Sequence, residues 1–85
     1  MRYRVEIRRV ALRELRHFPQ NDQARILDRA EELADNPRPM GCVKLEGRGE
    51  LYRIRCRDYR IIYEIRDEIV LVVIIKIGHP KDVYR

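Results

Sequence analysis

No stretch of this chain stays apolar for longer than the seven residues Ile69–Ile75, whereas a membrane-spanning helix needs about 20. The basic start Met1-Arg-Tyr-Arg is followed by no apolar segment. A secretory leader is therefore not expected, and the expected location is cytoplasmic. Cysteine is scarce: Cys42 and Cys56 stand 14 positions apart, with no Cys-x-x-Cys spacing and no histidine at zinc-finger distance. That argues against both a metal site and a disulfide framework. Histidine occurs only as His17 and His79. No acidic cluster suggests magnesium, no glycine-rich strand-to-helix loop suggests a nucleotide, and no Ser/His/Asp set is evident. No cofactor is expected. Repeats, low-complexity stretches and linkers are missing too, so residues 1–85 read as one domain.

What is present is charge. Hydrophobic residues make up 45% and charged residues 39%, enough aliphatic mass to offset the entropy of ordering the chain. Nineteen Lys and Arg against fourteen Asp and Glu leave a net +5, and sixteen of the nineteen bases are Arg. Arginine offers a planar fork of donors that grips phosphate or carboxylate with two bonds, which lysine cannot do. Residues 1–20 carry a net +4, residues 21–40 a net −2 and residues 41–66 a net +3. In a single domain, that asymmetry belongs to its surfaces.

Tyr3 to Arg8 alternates apolar and charged residues, the pattern of a half-buried strand. Ala11, Leu12, Leu15 and Phe18 recur at helical spacing up to Pro19. Asn21 or Asp22 then offers a cap for a second helix, whose stripe is Ile26, Leu27, Ala30, Leu33 and Ala34. Asn36-Pro37-Arg38-Pro39 ends it, because proline cannot continue the hydrogen-bond ladder. Beyond a loop with Gly41, Gly47 and Gly49, the period changes to two. Leu51–Arg57 and Tyr59–Arg66 alternate, and Ile69–Ile75 suits a strand buried on both faces or flanked by neighbours. Tight connections at Arg57-Asp58 and Asp67-Glu68 make these three strands a meander. The expected fold is α+β, in the order β-α-α-β-β-β, with a helical hairpin on one face of a mainly antiparallel four-stranded sheet.

A two-residue turn at Arg57-Asp58 sets Cys56 opposite Tyr59, Ile54 opposite Ile61 and Tyr52 opposite Tyr63. The same register sets Arg55 opposite Arg60, with Arg53 one pleat away. Like charges opposed across a strand pair cost a few tenths to about 1 kcal/mol, so three guanidinium groups on one sheet face point to a phosphate cradle. The competing explanation pairs each arginine with a carboxylate such as Glu64 or Asp82. Past Gly78, His79, Lys81 and Tyr84 are expected where that face ends. Cutting RNA without a metal requires cations on the crowded phosphorane, a base for the 2′-hydroxyl and an acid for the leaving oxygen. Arginine supplies charge but stays protonated, which leaves the protons to His79, Tyr84 or Lys81. Ile62, Val73 and Ile75 fall on the Arg60 side in this register. Apolar groups there call for a cover by a partner protein or a second copy.

Lys44-Leu-Glu-Gly47, Leu51-Tyr-Arg-Ile-Arg55, Asp58-Tyr-Arg-Ile-Ile-Tyr-Glu-Ile65, Ile77-Gly-His79 and Asp82-Val-Tyr84 together resemble the RelE branch of the RelE/ParE toxin superfamily, over nearly the whole chain. The resemblance implies a RelE-like domain acting as the toxin of a type II toxin–antitoxin pair. Such a toxin is a ribosome-dependent mRNA endoribonuclease that needs no metal, inhibits translation, and is held in a hetero-oligomer by a RelB-like antitoxin. Its implied partners are thus that antitoxin, the ribosome and mRNA, with no membrane. The family's paired basic positions fall on Arg53 and Arg55, its phosphate-gripping arginine on Arg60 and its C-terminal tyrosine on Tyr84. Together with His79 these are the catalytic candidates, and Arg57, Lys44 and Lys81 are the RNA-binding ones. Well-known members carry lysines at the second-strand pair, one of which can serve as base, so arginine here moves that duty elsewhere. The family also commonly has arginine after the Gly-His or Gly-Lys pair. Pro80 stands there in this chain, which puts its catalytic strength in question. A ParE-like inhibitor of DNA gyrase and a catalytically weakened RelE homologue are the alternatives.

Overall fold

The structure, a computed structural model, describes residues 2–47 and 49–79. The elements are β1 (Arg4–Ile7), α1 (Arg9–Arg16), α2 (Gln20–Asp35), β2 (Val43–Lys44), β3 (Leu51–Cys56), β4 (Tyr59–Arg66) and β5 (Leu71–Gly78). The sheet runs β1-β5-β4-β3-β2. β1 pairs with β5 in parallel, and every other neighbour is antiparallel. The α+β class holds, with five strands where four were expected. Val43 and Lys44 add the fifth by pairing with Arg53 and Tyr52, too short a pairing to leave a periodic signal in sequence.

The two helices cover one face of the sheet. Ala11 and Leu15 of α1 join Ile26, Ala30 and Leu33 of α2 in a core with Ile54, Ile61, Tyr63, Ile74 and Ile77. Each large aliphatic residue buried there contributes about 1.5–3 kcal/mol relative to exposure. Leu27, expected in the α2 stripe, is 44% exposed. It lies about 100° around the helix from Ile26, at the edge of the buried arc. α2 also begins earlier than Asn21 or Asp22 implied. Pro19 occupies the cap position with no side-chain cap bond, while the Gln23 side chain donates to the Phe18 carbonyl at 2.8 Å. Asp22 is used elsewhere: it accepts the Tyr59 hydroxyl at 2.8 Å.

The β4–β5 connection is longer than a two-residue turn. Asp67–Ile69 forms a 3-10 turn, and Val70 closes it in the left-handed region at φ 54°, an unusual place for a β-branched residue. Ile69 is therefore exposed outside the strand, and β5 runs on through Lys76, Ile77 and Gly78 instead. Arg38 braces this end. Its guanidinium bonds Asp67 at 2.8 and 3.3 Å, donates to the Tyr52 hydroxyl at 3.2 Å and lies 5.3 Å from the Tyr52 ring centre. Tyr3 donates to the same Asp67 at 2.6 Å.

Candidate RNA-binding face

The two-residue turn at Arg57-Asp58 forms with the expected register: Cys56 opposite Tyr59, Ile54 opposite Ile61 and Tyr52 opposite Tyr63. Arg57 supports it in the left-handed region at φ 55°. Because side chains alternate along a strand, this register places Arg55 opposite Arg60 on the face away from the helices. Arg53 sits in the next row of that face, opposite Ile62. Arg60 in turn faces Gly78 of β5, which has no side chain to crowd the guanidinium. His79 follows directly and is exposed. The structure thus brings Arg53, Arg55, Arg60 and the start of the Gly78-His79 segment together. Tyr84 and Lys81, like Pro80, lie outside the described residues.

Of the two carboxylates named by the competing explanation, Asp82 lies outside the described residues and Glu64 is paired within its own strand. Glu64 pairs with Arg66 at 2.7 Å. Arg55 donates Nε to the Arg57 carbonyl at 3.0 Å, and Arg60 donates to the Tyr59 carbonyl at 3.5 Å. Both keep donors that a phosphate can take, and clustered fixed cations are what a developing phosphorane needs.

Two candidates sit elsewhere. Lys44 is in register with Tyr52, one position off the Arg53 row, and its Nζ lies 3.5 Å from Glu50. Val43, not Lys44, shares the row of Arg53. Arg57, at the turn, lines an open cleft with Arg25, Asp28, Arg29, Glu32, Arg55 and Cys56. Cys56 stays a buried free thiol there, and burial pushes its pKa up.

β5 holds what alternation could not show. A bulge leaves Ile75 without a partner on β4, so that Lys76 pairs with Ile62 and Ile77 with Ile61. The phase of the strand shifts by one: Ile77 enters the core and Lys76 joins the row of Ile62 and Arg53. Lys76 is held by Glu14 of α1 at 3.2 Å, and the other Glu14 oxygen accepts the Ile77 N–H, also at 3.2 Å. The expected apolar patch is correspondingly small. Ile62 and Ile75 are half-buried, and Val73 is only 5% exposed. Val73 and Leu71 are flanked in the ladder by the Glu64–Arg66 pair on β4 and the Arg4–Glu6 pair on β1.

Among the described residues no three of His, Cys, Asp and Glu gather as a metal site would require, and no helix is long and apolar enough to cross a membrane. A helical hairpin packed behind a sheet that carries an arginine cluster on its open face defines a class of small toxin. The sequence model of the ParE toxin of type II toxin–antitoxin systems matches residues 5–84, and the chain belongs to this RelE/ParE family. It is 30% identical to the mRNA interferase toxin RelE of Escherichia coli K12 over 92% of this chain and 83% of that protein. The archaeal RelE–RelB complex from Pyrococcus horikoshii contains a chain that superposes with a TM-score of 0.84 at 32% identity, covering 98% of this chain and 100% of that one. The RelBE2 toxin–antitoxin complex of Mycobacterium tuberculosis gives 0.82 at 27% identity, over 93% and 99% of the two chains.

Proposed function

We propose that this chain is the toxin of a type II pair, an endoribonuclease that cuts messenger RNA on the ribosome and is restrained in the cytoplasm by a RelB-like antitoxin. The observation that carries the reading is the Arg55–Arg60 opposition, with Arg53 beside it, on a sheet face the helices leave open. Homology to a protein named as an mRNA interferase, and to toxins solved with RelB antitoxins, supports it.

No metal is needed. The substrate's 2′-oxygen attacks the adjacent phosphorus, and its proton passes to a base, for which exposed His79 is the described candidate. The P–O5′ bond breaks as that oxygen takes a proton from an acid, the role proposed for Tyr84. The products are a 2′,3′-cyclic phosphate and a 5′-hydroxyl. Arg53, Arg55 and Arg60 stabilise the added negative charge of the phosphorane, while Arg57 and Lys81 hold flanking phosphates.

Induced expression in a bacterial host, with transcript 5′ ends mapped, tests the reading. New cuts confined to translated frames and lost in Arg60→Ala are expected. Growth arrest without cuts would transfer the assignment to gyrase poisoning, a reading favoured by the ParE description of the matching family and by Pro80. Neither arrest nor cuts would mark a weakened toxin.

A further inference from the structure

The bulge in β5 delivers to the arginine cluster a cation that the cleavage step does not use. It turns Lys76 out of the core and sets it opposite Ile62, which in turn stands opposite Arg53. Arg60 faces Gly78, two residues further along β5. Lys76 is therefore the diagonal neighbour of Arg60, about 7–8 Å away between α-carbons. Gly78 places no side chain in the space they share.

This half of the open face carries one sign of charge. The rows Arg53–Ile62–Lys76 and Arg55–Arg60–Gly78 contain four cations and no acid. An apolar residue at position 76 would continue the surface of Leu71, Val73 and Ile62. A cation beside three guanidinium groups adds repulsion instead, which an anion must relieve.

The anion present is Glu14, which reaches around the edge of β5 from α1 to the Lys76 ammonium at 3.2 Å. Its other oxygen has separate work, accepting the Ile77 N–H. Both side chains of the ion pair are partly exposed, and pairs of that kind are held weakly. Lysine is also suited to changing partner: it is a flexible arm with a point charge and a common ligand of phosphate. Bulges often re-aim a side chain beside a functional site.

We propose that Lys76 is a further RNA contact of the sheet face. Its ammonium leaves Glu14 for the phosphate next to the one gripped by Arg60, and Glu14 stands in for that phosphate while RNA is absent. The proposal rests on the reading that this face holds RNA. It adds to that reading a residue of β5 and a carboxylate that competes with the substrate.

The test is fluorescence anisotropy with a labelled single-stranded oligoribonucleotide, titrated at several salt concentrations. The parent is compared with Lys76→Met, Glu14→Gln and the double variant. Lys76→Met keeps the aliphatic stem and removes the charge. Its binding should weaken about three- to tenfold at low salt. The slope of log K against log salt should become shallower by about 0.7, the share of one phosphate contact on a single strand. Glu14→Gln keeps an acceptor for the Ile77 amide but frees the lysine, so binding should tighten by about threefold. In the Lys76→Met background the same change should gain less, because no lysine is left to release.

An unchanged slope in Lys76→Met would overturn the proposal. So would a Glu14→Gln gain as large or larger in the Lys76→Met background. That is the pattern of a purely structural pair, in which removing the lysine uncovers a carboxylate that repels RNA. If Lys76→Met does not fold, as read by circular dichroism, Lys76→Gln takes its place with the same expected shifts. A parent protein that binds no oligonucleotide would take RNA off the sheet face and the proposal with it. No cleavage enters the readout, so failure of the nuclease reading appears in the 5′-end mapping and failure of the Lys76 contact in the slope.

Discussion

Arg55 and Arg60 stand directly opposite one another across β3 and β4, and each spends a guanidinium donor on a nearby backbone carbonyl. Cross-strand like charges cost a few tenths to about 1 kcal/mol. Arg55→Thr keeps a good strand residue and removes the repulsion. The variant should be more stable by up to about 1 kcal/mol, yet its cleavage should fall by about 10²–10³-fold, as when one preorganised donor is lost from a transition-state site. Denaturant melts and a ribosome-programmed cleavage assay give both quantities. A variant less stable and fully active would contradict the assignment.

Acid should weaken the fold through Asp67. Its carboxyl is held below the ordinary carboxylate range, first by the hydrogen bond from Arg38 and then by the one from Tyr3. The unfolded chain therefore takes up a proton at higher pH than the native one. The stabilisation is complete above the unfolded carboxylate pKa and is lost as pH falls through the depressed native value. Glu50, lowered first by the Tyr52 hydroxyl, acts in the same direction. Asp67→Asn should lower stability at neutral pH and flatten its decline toward about pH 3, below the ordinary Asp value of about 3.9. Urea midpoints across that interval would reveal an unchanged acid limb if the network carried no weight.

Glu14 substitutes for a missing strand. β1 ends opposite Ile74, and the Ile77 N–H on the outer edge of β5 finds the Glu14 carboxylate instead. Glu14→Ala should cost about 1–3 kcal/mol by leaving that amide unpaired. Glu14→Gln, which retains an acceptor, should recover much of the loss. Hydrogen exchange at the Ile77 amide should accelerate in the alanine variant and much less in the glutamine one. Equal exchange in both would dismiss the bond.

Two adjacent leucine-sized residues of α2 should behave differently. Ile26 is 1% exposed and Leu27 44%. Ile26→Ala should cost about 2–5 kcal/mol through transfer and cavity terms, whereas Leu27→Ala should stay within about 0.5 kcal/mol. Thermal melts of the pair decide whether the buried arc of α2 is as narrow as described.

The arginine cluster was legible because it depends on local rules. Period-two alternation and a two-residue turn give the β3–β4 register, and with it the Arg55–Arg60 opposition. Lys76 was not legible. Strict alternation from Val72 and Ile74 assigns it to the core face, and only the bulge at Ile75 returns it to the row of Arg53. The register of Lys44 was not legible for a related reason, since a two-residue edge strand has too little pattern to reveal which of its residues shares a face with Arg53.

The sequence by itself determined the order of the helices and longer strands, the stop at Asn36-Pro37-Arg38-Pro39, the class of fold and the grouping of Arg53, Arg55 and Arg60. All of these follow from periodicity and backbone chemistry within a few residues. The tertiary structure alone decided that β1 runs parallel to β5, that Glu14 closes the open edge of β5, and that Arg38 joins Asp67 to Tyr52. Glu14 and Ile77 are 63 residues apart, and Arg38 and Asp67 are 29 apart. Contacts at such separations leave no periodic trace, because they are selected by the way whole elements bury their apolar faces against one another.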